Sequence, residues 1–184
     1  MGKKKLSTVR AEIRAAFAQS GLDATMAEEN DGTPRASNAL IGIAGVHFVV
    51  SELSRRGLVA LPTIRNTAAY DVVVVSQSGE RHANIQVKSS SKKVSFFRMP
   101  PSKLIKAGRH DYYVLLRWDE KAKSYDALML SGKEAKAEVA DSERRQGERI
   151  KAGHRRVLVP SLSIVGSVAR RAAKWRARWR TWQL

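Results

Sequence analysis

The apolar positions of the chain form one long helical stretch followed by a series of short strand-like runs. Residues 37–56 are apolar almost all round a helix, which predicts a helix buried on more than one side. The later runs are short, rich in β-branched and aromatic residues, and bounded by turn residues, so they predict strands. These runs cover residues 58–62, 70–76, 83–89, 94–97, 112–118, 125–130 and 157–159. The pairs 70–76 with 83–89 and 112–118 with 125–130 have the spacing of hairpins.

Glycine, proline and serine positions refine the predicted helices. Gly42 and Gly45 lower the helix propensity of the long stretch, so they indicate close packing against a neighbour. Two prolines precede a short predicted helix at 102–107. Ser131 and Glu134 have the spacing of a capping box, which predicts a helix that begins there and ends near residue 140.

The order of these elements predicts an α/β fold of the α+β type, in which helices flank a mixed sheet. A short N-terminal helix and a linker are expected over residues 1–37, and the main domain over 38–160. The charged stretch 141–156 within that domain is expected to be exposed. A basic helix is expected over 161–184.

The C-terminal stretch places three tryptophans on one helical face. Trp175, Trp179 and Trp182 follow the i, i+4, i+7 spacing, among six basic residues and no acidic ones. The favoured interpretation is that this face packs on the core. Stacking on nucleic acid or binding at a membrane surface is the alternative.

The charge of the chain narrows the class of partner. It has 34 Lys and Arg residues against 17 Asp and Glu residues, a net charge of +17. Such an excess attracts phosphates, which favours a nucleic acid, DNA or RNA, as partner. A ribosomal-type or merely soluble basic protein is the alternative.

The absence of cysteine excludes disulfides, Cys-based zinc sites and a cysteine nucleophile. Without a signal peptide or a long apolar stretch, a cytoplasmic protein with no membrane partner is expected.

A candidate site lies where two predicted strands meet. Asp71 directly precedes the apolar run 72–75, and Gln86, Val87 and Lys88 close the next apolar segment. Because side chains alternate along a strand, Gln86 and Lys88 share one face while Val87 points to the core. In a hairpin, Asp71 joins them at one end of the sheet. A carboxylate, an amide oxygen and an ammonium suit a hard divalent cation and a phosphate.

This order of helix, strands, Asp and Gln-x-Lys resembles the PD-(D/E)XK nuclease superfamily. It is most similar to the branch near Holliday-junction resolvases and homing endonucleases that carries a Q-x-K motif, and the resemblance covers about residues 38–130. The resemblance implies a restriction-endonuclease-like sheet with flanking helices. It implies an endonuclease that hydrolyses phosphodiester bonds of duplex or branched DNA with Mg²⁺ or Mn²⁺.

The resemblance also implies a role for each site residue. Asp71 and Gln86 would ligate the cation, with Gln86 in the position that usually holds an acid. Lys88 would position or polarise the attacking water and stabilise charge on the phosphate. Nearby polar and basic residues are the expected nucleic-acid contacts: Arg65, Asn66, Lys92, Lys93 and Arg98. A homodimer stays open, because a single site cuts one strand.

The chain departs from this branch at Val46, where the long helix usually presents Glu directly after Gly. Glu52 and His47 are the nearest supporting candidates. Glu52 is expected to pair with Arg55 or Arg56 instead, and His47 to be a buried structural histidine. One carboxylate at the site predicts weak binding of the cation.

Three functions therefore remain: an active nuclease, a catalytically inactive nuclease-fold protein that binds nucleic acid or a protein, and, less favoured, a structural RNA-binding protein. The site residues also have plainer explanations. Asp71 could cap the start of a strand, and Gln86 and Lys88 could lie on a solvated strand edge.

Overall fold

The computed structural model describes residues 36–63, 70–152, 160–164 and 168–184. The predicted helix and linker at the N-terminus, the predicted strand at 157–159, and Arg65 and Asn66 lie outside the described residues. The fold is that of the compact unit Ala39–Leu184 together with Asn38, the first residue of its first helix.

The described residues form helices, a mixed sheet and a small second sheet, which confirms the predicted α+β class. The helices are α1 (Asn38–Arg55), α2 (Gly132–Lys151) and α3 (Ala169–Thr181). The strands are β1 (Val59–Pro62), β2 (Val72–Val75), β3 (His82–Ser90), β4 (Phe96–Arg98), β5 (Asp111–Asp119), β6 (Ser124–Ser131) and β7 (Ser161–Ser163). The helix predicted at 102–107 is only one 3₁₀ turn, Ser102–Leu104, because the chain becomes extended at Ile105 to bury that side chain.

The main sheet has the strand order β1-β2-β3-β5-β6, with β3 at its centre. Only the β3–β5 pair is parallel, and both predicted hairpins, β2–β3 and β5–β6, are antiparallel neighbours. In the parallel pair, Gln86 lies opposite Tyr113 and Lys88 opposite Leu115. The second sheet pairs β4 with β7, a strand that the sequence pattern did not indicate.

Two apolar clusters cover the two faces of the main sheet. The first joins Val49 and Leu53 of α1 to Val87 of β3. The second joins Tyr113 and Leu115 of β5 to residues of α2, β4 and β7. Because cross-strand partners share a face, Gln86 and Lys88 lie on the side of the second cluster, away from α1.

Helix α1 approaches the sheet most closely at Gly45. A Cβ built there would lie 1.8 Å from Oγ of Ser89, so only glycine fits. The Ser89 hydroxyl is buried and has no hydrogen-bond partner among the described residues. Gly42 has open space around it, so close packing at that position is a wrong prediction. The helix ends as its sequence indicates, with Gly57 in the left-handed conformation (φ 81°).

Helix α2 begins with the predicted capping box, in which the Ser131 hydroxyl accepts from the Glu134 backbone N–H. It does not end near residue 140 but continues to Lys151. Ion pairs one helical turn apart support the extension: Asp141 pairs with Arg144 and Arg145, and Arg144 pairs with Glu148. Residues 141–151 of the charged stretch are therefore the second half of a helix, and residues 153–156 lie outside the described ranges.

Helix α3 packs against β6, the edge strand of the main sheet. The exposed fractions of Trp175, Trp179 and Trp182 are 1%, 5% and 7%, which confirms the interpretation that they pack on the core. Trp175 belongs to the second apolar cluster, and Trp179 and Trp182 belong to the first. Helix α3 therefore covers both clusters at the edge of the sheet that β6 forms. With their rings buried, these tryptophans are not a surface for nucleic acid or membrane.

None of the helices in the described part of the chain is both long enough and apolar enough to span a membrane.

Candidate functional site

The candidate site lies where β2 begins. Beyond this point β3 is paired with β5 but no longer with β2. The register of the β2–β3 pair starts at Val72 opposite Ile85, and the Asp71 N–H donates to the Ile85 carbonyl at 2.9 Å. Beyond Ile85, β3 continues to Ser90 with β5 on one side. The Asp71 side chain therefore reaches the side of β3 that β2 has left.

The Asp71 carboxylate fills this position with two hydrogen bonds. Its Oδ2 accepts from the Val87 N–H at 2.7 Å and from the Gln86 amide nitrogen. Because the N–H and C=O of one strand residue point to the same side, the Val87 carbonyl also faces Asp71. Asp71 thus does cap an open strand segment, as the plainer explanation has it. Both of these donors are neutral, so the carboxylate keeps its full charge.

The Lys88 ammonium lies on the same strand face as Gln86. The residue is half-buried, and no hydrogen bond or ion pair joins it to another residue of the described ranges. Side chains two positions apart in a strand are separated by about 7 Å. A phosphate placed against Gln86 is thus within reach of Lys88. β3 is the central strand of the sheet, so most of it is not the solvated strand edge that the sequence also allowed. Only the side of β3 beyond Ile85, where β2 no longer pairs with it, corresponds to such an edge.

Helix α1 adds no carboxylate to this group. Val46 is half-buried against the first apolar cluster. Glu52 pairs with Arg55 at 3.3 Å and with Arg56 at 3.5 Å, as predicted. His47 is exposed, so the prediction of a buried structural histidine is wrong. Its apolar neighbours in sequence lie on other faces of the helix.

The described nucleic-acid candidates differ in how far their charge is compensated. Lys92 and Arg98 are exposed, and no ion pair binds either one within the described part of the chain. Lys93 pairs with Asp119 at 3.1 Å, and 62% of its side chain is exposed. Such exposed pairs are weak, and the partner of Lys93 can be replaced by a phosphate.

A second polar group, which the site prediction did not include, borders the first. Asp111 is buried and accepts hydrogen bonds from the Asn84 amide at 3.1 Å and the Gly108 N–H at 2.8 Å. Burial alone would raise the pKa of Asp111, but these bonds, with one from the Tyr70 hydroxyl, hold it below its ordinary value. Asn84 lies two positions before Gln86 on the same face of β3. Asp111 therefore anchors the strand ends beside Asp71.

A sequence signal for Asp111 existed. Like Asp71, it is an acidic residue directly before an apolar strand. Its engagement by three donors distinguishes it from Asp71 and indicates a structural role.

The oxygen donors at Asp71 fit a cation that is shared with a substrate. Asp71 supplies a carboxylate, and rotation of the Gln86 amide would present its oxygen in place of its nitrogen. No group of three or more His, Asp or Glu side chains suited to a metal occurs among the described residues. Mg²⁺ commonly keeps several waters and binds through one or two carboxylates together with substrate phosphates. The donor set matches that mode rather than a tight protein cage.

Comparisons of the chain with protein-family models, with curated proteins and with solved structures found no significant match.

Proposed function

We propose that the protein is a metal-dependent nuclease of the PD-(D/E)XK type that acts on DNA at Asp71, Gln86 and Lys88. One observation carries this proposal. Asp71 is hydrogen-bonded to Gln86 of β3, and Lys88, without an ionic partner in the described ranges, lies two positions further along β3 on the same face. An anion and a cation on one face of neighbouring strands, neither paired with an opposite charge in the described ranges, suit a ligand that has both a cation and a phosphate.

Each side chain has a distinct task in this proposal. Lys88 attracts the phosphate and offsets negative charge as it develops on the phosphoryl oxygens. Asp71 and the Gln86 amide oxygen would hold Mg²⁺ or Mn²⁺, and the bound cation would supply an activated water and offset the charge of the phosphate. The Val87 N–H fixes the Asp71 carboxylate in place at 2.7 Å. Asn84 and Asp111 keep β3 and β5 aligned beneath the site.

A protein of the same architecture that binds DNA without cutting it is the second candidate. Val46 and the Glu52–arginine pairs favour it, because α1 provides no second carboxylate. In that case the anion at Asp71 is only a strand cap, and binding depends on the basic residues alone.

A cleavage panel separates the two candidates. Single-stranded, duplex and branched DNA, and an RNA of matched sequence, are incubated with the protein in Mg²⁺, Mn²⁺ or EDTA. We expect metal-dependent cleavage of DNA that Asp71→Asn and Lys88→Met each reduce by about a hundredfold or more, since both act on transition-state charge. Asp141→Asn is the matched control, because the arginine partners of Asp141 on α2 are not among the proposed nucleic-acid contacts.

The outcomes discriminate between the candidates. Wild-type protein that cuts none of the substrates with either metal contradicts the nuclease. In that event, DNA binding that is insensitive to EDTA supports the second candidate. Val46→Glu should not add activity, because α1 packs on the face of the sheet opposite to Gln86 and Lys88.

A further inference from the structure

An exposed aromatic ring lies on the small sheet that follows the candidate site in sequence. Phe96 of β4 is 53% exposed, whereas Phe97 is 5% exposed and belongs to the second apolar cluster. The alternation of β4 therefore buries one phenylalanine and leaves the ring of the other in solvent. Burial in the core cannot account for Phe96.

On the face of the small sheet that carries Phe96, the neighbouring side chains are two short serines and the positively charged Arg98. The cross-strand partner of Phe96 is Ser163, and Ser161 lies opposite Arg98. Cross-strand partners share a face, so two serines flank the phenylalanine and the arginine. Serine side chains are too short to cover an aromatic ring. The face is bordered by α2 at the Arg98 end, where the Ser142 and Ser161 hydroxyls are 3.3 Å apart.

The cations near this ring in sequence have no carboxylate partner among the described residues. Arg98 is exposed on the same face as Phe96, and Lys92 is exposed in the segment that leads from β3 to β4. By contrast, three arginines of α3 are bound to carboxylates, as Arg176 is to Asp126 and Arg178 to Glu134. Arg98 therefore offers an uncompensated positive charge beside an exposed aromatic ring.

We infer that Phe96 and Arg98 form a stacking platform for an unpaired nucleotide of single-stranded DNA. The base lies on the Phe96 ring, and its phosphate contacts Arg98 and Lys92. Stacking on an aromatic side chain does not distinguish one base from another, and it needs a base that is not already stacked in a duplex. The inference rests on the proposed function and specifies its substrate as DNA with a single-stranded segment.

Binding measurements test the platform without reference to cleavage. Anisotropy of a labelled 20-nucleotide single strand and of a blunt duplex is followed in EDTA at one fixed salt concentration. We expect Phe96→Ala to weaken single-strand binding about tenfold, within the range measured for loss of one stacked base. Duplex binding should change less than twofold. Phe96→Trp should retain single-strand binding, since it keeps the π face.

Two further variants control for lost apolar surface and lost charge. Leu61→Ala removes an apolar side chain that is also 53% exposed but lies on β1, and it should leave both affinities unchanged. Arg98→Gln should weaken both affinities and reduce the salt slope by about one, as expected for a phosphate contact.

The platform is overturned if Phe96→Ala binds the single strand as the wild type does, or if it loses single strand and duplex equally. These results are independent of the nuclease proposal. If Phe96→Ala selectively weakens single-strand binding but the protein never cuts DNA, the platform is supported and the nuclease proposal is contradicted. If the wild type cuts DNA but Phe96→Ala binds the single strand normally, the nuclease proposal is supported and the platform is contradicted.

Discussion

Asp71 and Asp126 are both half-buried aspartates of the main sheet, but they have opposite surroundings. Asp126 accepts hydrogen bonds from Arg117 at 2.5 and 2.9 Å and from Arg176 at 2.8 and 3.0 Å. Among the described residues, Asp71 accepts only from an amide and a backbone N–H. The carboxylate with two guanidinium partners has its charge fully offset. The carboxylate with neutral partners remains an anion that can recruit a cation.

The two surroundings also differ in what they connect. Asp126 on β6 joins the buried Arg117 of β5 to α3, so it holds the C-terminal helix on the edge of the sheet. Burial alone would raise the pKa of Asp126, but the bonds from Arg176 and Arg117 hold it below its ordinary value. Asp71 connects only neighbouring strands. We infer that Asp126 serves stability and that Asp71 is free to serve function.

The largest effect that we expect from removing one of these two carboxylates is on stability. Asp126→Ala leaves the Arg117 side chain, which is 9% exposed, without its carboxylate. Loss of one partner of a buried ion pair typically costs 3–5 kcal/mol, so we expect the free energy of unfolding to fall by about 3 kcal/mol. Asp71→Ala, which removes hydrogen bonds to neutral donors, should cost about 1 kcal/mol. Urea denaturation followed by circular dichroism measures both.

Asp119→Ala is the control for this measurement, because its pair with Lys93 is exposed and should contribute little to the free energy of unfolding. Equal losses of stability for Asp126→Ala and Asp71→Ala would mean that the two aspartates do not differ in the way their contacts indicate.

The contrast also shows how far the sequence predicted the site. Asp71, Gln86 and Lys88 were predicted to meet because they belong to two strands joined by a short turn, and strand alternation fixes their faces. Asp126 lies 50 positions before Arg176, and no local pattern indicates that pair. The strand β7 was missed for the same reason, since its three residues become a strand only by pairing with β4.

Two errors in the helices have a similar cause. His47 has apolar neighbours in sequence, but burial of a helical residue depends on which face meets the sheet, and α1 meets it through Val49 and Leu53. The second half of α2 lacks apolar periodicity, and ion pairs between successive turns stabilise it instead. The patterns of apolar residues therefore predicted strands and their pairing better than helix faces and helix lengths.

An intermediate effect is expected when the guanidinium-bound carboxylates are titrated. Burial alone would raise the pKa of Glu134, but bonds from Arg178 and Ser131 lower it from 4.5 to about 2. A carboxyl group with a lowered folded-state pKa stabilises the fold above its unfolded pKa and loses this contribution as the pH falls through the folded value. The stability supplied by Glu134 should therefore be complete above about pH 5 and decline towards pH 2.

Acid unfolding curves of variants check this assignment. Glu134→Gln and Asp126→Asn should each lower stability at pH 7 and flatten its dependence on pH between about 5 and 2. A variant that keeps the wild-type slope in this range would mean that its arginine partners do not lower the pKa of that carboxyl group.

The smallest expected effect concerns DNA binding without metal. The Asp71 carboxylate lies beside the position proposed for a phosphate, and the groups that bind it among the described residues are neutral. Two like charges about 4 Å apart repel by about 1 kcal/mol in water. In EDTA, Asp71→Asn should therefore tighten DNA binding about two- to fivefold, whereas Asp126→Asn should not, since that charge is already offset by Arg117 and Arg176. Added Mg²⁺ should tighten binding by the wild type and leave the Asp71→Asn variant almost unchanged. If Asp71→Asn instead weakens binding in EDTA, its carboxylate supports the strand rather than facing the phosphate.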